Sequence, residues 1–170
     1  MNSTYSPDDA ELLAATLRTI RAERARIRTL HGAAHTEAVT RITQTFCELL
    51  DNMRDMVTTA AARTPFAQSL PNADFHFALA APWYALFSIA HDGRAIRSRD
   101  LFRRLRGLAR QKARSCGVDH GHARDLVQLG AKYFIVITSD GLALPIGLPR
   151  SVCADLQSAH TEATLNASAQ

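Results

Sequence analysis

The sequence predicts a mainly α fold carrying one β-hairpin, an α+β class. Three observations predict it. Two stretches before residue 64 repeat apolar residues every three or four positions. A charge-poor apolar stretch then gives way to an arginine-rich amphipathic one between 73 and 116. Lastly, the β-branched run Tyr133 to Thr138 turns at Ser139-Asp140-Gly141 and returns. At 170 residues, 46% hydrophobic and 21% charged, the chain can bury a core without disulfides or metals, and no apolar run approaches the roughly 20 residues of a membrane span.

Ser6-Pro7-Asp8-Asp9 opens the first helix: a hydroxyl to cap it, a proline suited to the first helical position and two acids at the positive end of its dipole. Leu13, Leu17, Ile20, Ile27 and Leu30 share one face, so this helix is expected over 7–31. After Gly32 a second helix is expected to restart at Thr36-Glu37. Its apolar positions, Val39, Ile42, Phe46, Leu49, Met53, Met56 and Ala60, alternate steps of three and four. That spacing is the seam of a coiled-coil-like contact, either as a hairpin with the first helix or with a second subunit. Leu13, Leu17, Ile20, Ile27, Val39, Ile42, Phe46, Leu49 and Met53 are therefore the candidate dimerisation residues. Thr64-Pro65 and Gln68 to Asn72 mark a connection. The chain divides into helices for dimerisation or docking (1–64), a module holding the basic segment (65–150), and a C-terminal helix with a frayed tail (151–170).

Ala73 to Ala90 is nearly uncharged and reads as core. Six of the eleven aromatics lie between Phe66 and Phe87. Ser98 is expected to cap a basic helix with Leu101, Phe102, Leu105 and Leu108 inward. Gly107 either kinks this helix or starts a turn. Asp119 is expected to cap a short helix that Gly130 closes. In the hairpin, Pro145 assigns Leu142 to Leu148 to an edge strand. Because Tyr133 to Thr138 is apolar on both faces, either Phe134 and Val136 or Ile135 and Ile137 should pack on the aromatics around Trp83 and Phe87. The final helix is expected over 151–164, with 166–170 frayed.

The formal charge of +4 conceals an asymmetry. Arg94, Arg97, Arg99, Arg103, Arg104, Arg106, Arg110, Lys112 and Arg114 face one acid, Asp100, a net of +8 in 21 residues, while the rest of the chain sums to −4. Like charges three and four apart on a helix repel unless a partner neutralises them, so the segment predicts an anionic partner, nucleic acid first. The candidate nucleic-acid-binding residues are Arg97, Arg99, Arg103, Arg104, Arg106, Arg110, Lys112, Arg114, His120, His122 and Arg124.

The run from Pro82 to Gly93 (PWYALFSIAHDG), then Ser98-Arg99-Asp100-Leu101, Gly117-Val118-Asp119 and Asp125-Leu126-Val127-Gln128-Leu129-Gly130, resembles the MarR family of bacterial winged-helix transcriptional regulators over about 65 residues. The resemblance implies a winged-helix-like module, a homodimer held by the N- and C-terminal helices, double-stranded DNA as partner, a helix in the major groove and a wing beside it. Three features depart from the pattern. Leu101 to Gly130 is several residues longer than the family's spacing, the wing carries no Arg or Lys between Tyr133 and Pro149 and holds Asp140 at its tip, and the hairpin has the apolar composition of a packed rather than a wet one. A second register remains open, in which Gly107 is the turn and Ala109 to Cys116 the reading helix. The reading from a different class is a helical adaptor or small subunit of a larger assembly, possibly containing RNA.

Neither a nucleophile elbow nor a phosphate loop is present, so no catalytic residue is assigned and a non-enzymatic protein is expected. No cofactor is expected. Cys116, His120 and His122 around Asp119 lack a fourth ligand, and His31 and His35 lack further ligands altogether, so no metal site is assigned. Cys47 and Cys153 are expected to be small buried hydrophobes. An odd number of cysteines and an N-terminus without a signal pattern suit the cytoplasm, with no membrane partner.

Overall fold

The computed structural model describes residues 6–169, among which eight helices and three short strands follow in order: α1 (Pro7–Ile27), α2 (Gly32–Ala62), α3 (Pro65–Gln68), α4 (Asn72–Ala78), α5 (Ala80–Asp92), β1 (Ile96–Arg97), α6 (Ser98–Cys116), α7 (His120–Phe134), β2 (Ile135–Ile137), β3 (Leu142–Pro145) and α8 (Arg150–Ser168). The protein is mainly helical with a small antiparallel sheet, as the α+β reading expects. Two compact units interleave along the chain. One takes residues up to Met53, Phe87–Ala95 and Leu148 onward; the other takes Arg54–Leu86 and Ile96–Gly147. The part of the N-terminal signal reading that concerns residues 1–5, and the fraying of Gln170, lie outside the described residues.

In the first unit α1 begins as its sequence requires: Ser6 Oγ accepts the Asp9 N–H at 3.2 Å and Asp9 Oδ2 accepts the Ser6 N–H at 3.2 Å. The helix ends at Ile27 rather than 31, because Thr29 and Leu30 donate three residues back, to Arg26 and Ile27, and tighten the last turn. Leu13, Leu17 and Ile20 are buried, as are Val152, Leu156 and Ala159 of α8, against which α1 packs. Arg21 joins this layer to the turn after α5: its guanidinium donates to Asp155 Oδ2 at 2.8 Å and to the Gly93 carbonyl at 2.7 Å. α8 stays helical through Ser168, beyond the expected 164, so Asn166 to Ser168 are not frayed.

α2 begins at Gly32, four residues before its expected start. Its buried positions are Ala38, Ile42, Leu49, Met53, Met56, Val57 and Ala61, whereas Val39 is 38% exposed and Ala60 only half-buried. Within the chain the covered line follows the seam at Ile42, Leu49, Met53 and Met56 and departs from it at Val39 and Ala60. A strict heptad would hold Val39 and Ala60 on one line, but a straight helix, at about 3.6 residues per turn, falls about 20° behind a 3.5-residue repeat in each heptad, and this one contributes to both units. Phe46 is half-buried, with its ring 5.5 Å from that of Phe87, which is 47% exposed instead of core. Cys47 is exposed, contrary to expectation, while Cys153 is half-buried and its thiol pKa is raised by that burial. Alkylation of the native protein should therefore modify Cys47 and Cys116 several-fold faster than Cys153, read by mass spectrometry of timed iodoacetamide reactions.

In the second unit, the expected connection after Thr64 is two short helices. Thr64 caps α3 through the Ala67 N–H, and Pro65 occupies its first turn. Phe134 lies fully buried with Ala61, Ala67, Ala78 and Leu79, ringed by Phe66, Phe75 and Trp83. A second cluster is rich in alanine: Ala80, Ala81 and Ala85 of α5 meet Leu101, Leu105 and Ala109 of α6, Val127 and Ala131 of α7, and Ile135. α6 is continuous through Gly107 and ends at Gly117 (φ +65), which removes both the kink and the register with Gly107 as turn. Its capping position is Arg97, not Ser98; the Ser98 N–H donates instead to the Gly141 carbonyl at 2.8 Å.

Asp119 does cap α7, accepting the His122 N–H at 2.9 Å, but the helix runs past Gly130 to Phe134. Gly130 is not a stop. It is the point where α7 crosses α4 backbone to backbone, against the Ala78 carbonyl. The hairpin is consequently shorter than expected, since Tyr133 and Phe134 are helical. The sheet order is β1-β3-β2, so β3 is central and not an edge strand. Pro145 is tolerated because β1 pairs only with Leu142 and Ala143, leaving Pro145 with a neighbour on one side, opposite Ile135. Neither expected alternation of the first strand holds. Phe134 packs near Trp83 and Ile135 in the alanine-rich cluster, while Val136 and Ile137 are 53% and 46% exposed.

Candidate nucleic-acid interface

The basic residues of the second unit converge on α6. Its buried line is Leu101, Leu105, Ala109 and Ala113, four-residue steps that use alanines where leucines were expected. This rotation corrects the inward assignment of Phe102, which is 44% exposed, and leaves Leu108 half-buried. It also brings Arg99, Arg103, Arg106, Arg110 and Arg114 onto one exposed face, since steps of four, three, four and four follow the helical repeat. The stripe is about 22 Å long at 1.5 Å per residue. Arg104 flanks it, and Lys112, two residues from Arg110 and from Arg114, lies half-buried off it. Arg97 is exposed on β1. Arg94 belongs to the first unit.

The stripe is poorly neutralised. Arg103 pairs with Asp100 at 2.9 Å. Arg97, Arg99, Arg104, Arg106, Arg110, Lys112 and Arg114 have no ion pair among the described residues. α7 borders the stripe on one side: Arg106 shares a shallow cleft with Phe102, Arg124 and Gln128, and Arg110 and Arg114 share another with Val118 and His120. Of the α7 candidates, His120 is exposed and unpaired among the described residues. Arg124 lies 3.3 Å from Asp125, and the Nε2 of His122 lies 3.2 Å from Asp74 Oδ1. Apart from Lys132, exposed in its last turn, the exposed face of α7 is therefore almost neutral, and most of the cationic field belongs to α6.

The candidate dimerisation residues are distributed differently. Leu13, Leu17, Ile20, Ile42, Leu49 and Met53 are buried by their own chain, Ile27 and Phe46 are half-buried, and Val39 is exposed. Sequence reasoning missed Phe102, Gln128 and Gln111 as neighbours of the stripe; only the four-residue alanine spacing signals which way α6 turns. Among the described residues no group of His, Cys, Asp or Glu is arranged to hold a metal ion, and no helix is long and apolar enough to cross a membrane.

No family model, curated protein or solved structure matches this chain.

Proposed function

We propose that the protein is a DNA-binding transcriptional regulator that holds duplex DNA through the arginine stripe of α6, in a winged-helix-like module made of the start of α5, β1, α6, α7, β2 and β3. The observation that carries this reading is the stripe: five arginines on one helix face, four of them without an ion pair among the described residues. Each like-charge pair at this spacing costs about 0.2 to 0.5 kcal/mol, a cost that an array of phosphates would offset. A length of about 22 Å runs beside about six steps of a duplex strand at 3.4 Å each. The order helix, strand, helix, helix, strand, strand, with the last strand central, supports the winged-helix-like reading of the module.

In this reading α6 supplies affinity from phosphates, while Arg124 and Gln128 of α7, beside Arg106, supply what base discrimination there is. The turn between β2 and β3 carries Asp140 and no basic residue, so it adds no phosphate contact. Discrimination between sequences is accordingly modest. Fluorescence anisotropy of a labelled duplex over a salt series tests the proposal. Five phosphate contacts give a slope of log affinity against log salt of about −4 to −5. A flat salt dependence, or no binding at low salt, rules it out.

A further inference from the structure

The cleft that Arg106 borders, between α6 and α7, combines apolar and hydrogen-bonding groups. Leu105 and Val127, both buried, form its floor. Above them stand two pairs of exposed side chains, Phe102 with Arg106 on α6 and Arg124 with Gln128 on α7. Residues four apart on a helix lie one above the other, so each helix supplies one wall. Phe102 is 44% exposed because the buried line of α6 runs elsewhere, through Leu101, Leu105, Ala109 and Ala113. Its ring therefore faces the cleft as an apolar plane. The Gln128 side chain makes no hydrogen bond and Arg106 no ion pair within the chain among the described residues, and Arg124 has only its exposed neighbour Asp125, at 3.3 Å. The volume is about 170 Å³, below the roughly 300 Å³ at which pockets hold a whole drug-sized molecule, and it suits one planar ring system.

We propose that this cleft takes one unpaired nucleobase of the strand whose phosphates lie along the arginine stripe. The inference rests on the nucleic-acid reading of α6 and adds to it the state of the bound base. Charge complementarity names the occupant. Arg103 is next to Phe102 and Arg106 is one turn on, so phosphates held by the stripe bring the bases of their own strand to the cleft. Every base has a π-face to lay on Phe102, and the polar walls then meet its edge. An arginine fork pairs with O6 and N7 of guanine and a glutamine amide with N6 and N7 of adenine, so Arg106 and Gln128 favour a purine over a pyrimidine. A paired base keeps both faces in the duplex stack. Extruding it costs energy that a mismatched or bulged base has largely lost already. Duplexes carrying an unpaired purine should accordingly bind most tightly.

Anisotropy titrations of the full chain with four labelled duplexes of one sequence test it: fully paired, or with a one-nucleotide bulge that is adenine, cytosine or an abasic site. The abasic bulge has the flexibility and the phosphates of the other two and lacks only the base. The adenine bulge should bind about tenfold tighter than the abasic one, with cytosine between them. Phe102→Ala should bring the adenine-to-abasic ratio close to one, Phe102→Trp should keep it, and Gln128→Ala should narrow the lead of adenine over cytosine. Circular dichroism of both Phe102 variants should match the wild type, since that side chain lies off the buried line. An adenine bulge bound no more tightly than the abasic one overturns the proposal, as does a ratio that survives Phe102→Ala. If all four duplexes bind equally, the stripe stands and the role of the cleft falls; if none binds at low salt, both fall.

Discussion

Gly130→Ala should destabilise the protein by about 3 kcal/mol or more, the upper range for overpacking, because neither neighbour can move aside. A Cβ at this position would overlap the Ala78 carbonyl oxygen and lie 2.6 Å from its carbon. The obstacle is main chain in the last turn of α4, not the flexible end of a side chain. Relief would require α7 to lift off α4, and Leu126, Ala131 and Phe134 would leave their buried positions with it. Gly107→Ala is the counterpart. It lies in a continuous helix with nothing within 4 Å of its added Cβ, so it should stabilise by about 0.5 to 1 kcal/mol through the helix propensity of alanine. Urea unfolding of both variants checks the pair. Equal effects, or a mild Gly130→Ala, would mean that the helices do not cross as described.

The second large effect is expected in binding. Reversing Arg106, Arg110 and Arg114 to Glu replaces three attractions to phosphate by three repulsions on one helix face, so affinity for any duplex should fall by at least about a hundredfold at low salt. All three side chains are exposed and without ion pairs among the described residues, so the fold should be retained with little change in melting temperature: the new acids at 106, 110 and 114 repel one another four residues apart as the arginines did, while the one at 106 comes within three residues of Arg103. Lys112→Glu is the control: it lies off the stripe and should change affinity much less. Anisotropy titrations of the two variants against one duplex separate a stripe from a diffuse positive charge. A loss in log affinity from Lys112→Glu of about one third of the triple variant's, in proportion to the charge changed, would point to net charge, and a retained shift in the triple variant would remove α6 from the interface.

How far these features can be read from the sequence depends on how local their causes are. The caps at Ser6, Thr64 and Asp119 rest on side chains that reach two or three residues along, and the Ser6 and Asp119 helix starts fall where the sequence places them. The density of arginine is likewise plain in the chain. Its arrangement into one stripe is not, because the rotation of α6 is set by Ala109 meeting α5 and α7 and Ala113 meeting α4 and α7, and alanine gives a weak periodic signal. Gly130 is ambiguous for a similar reason. A glycine at the end of an apolar period serves equally as a helix stop or as a crossing point, and only the position of Ala78, 52 residues earlier, decides between them. Pro145 misleads because its missing donor forbids a second neighbour at one residue only, while β1 needs just Leu142 and Ala143.

The central position of β3 also sets an order of assembly. The strand that holds the sheet together is the last of the three along the chain, so Ile96 and Arg97 have no pairing partner until Leu142 and Ala143 arrive some 45 residues later. β2 and β3 close over a short loop, whereas β1 joins across the whole of α6 and α7. During synthesis the nascent segment is therefore helical long before it has a sheet. Its first folding contacts are those of α6 with α7, and β1 should be the strand whose pairing forms late in the folding transition state. A ribosome-stalled chain ending before residue 142 would show helices with no strand pairing, and β1 would lie open to any chaperone that binds extended segments.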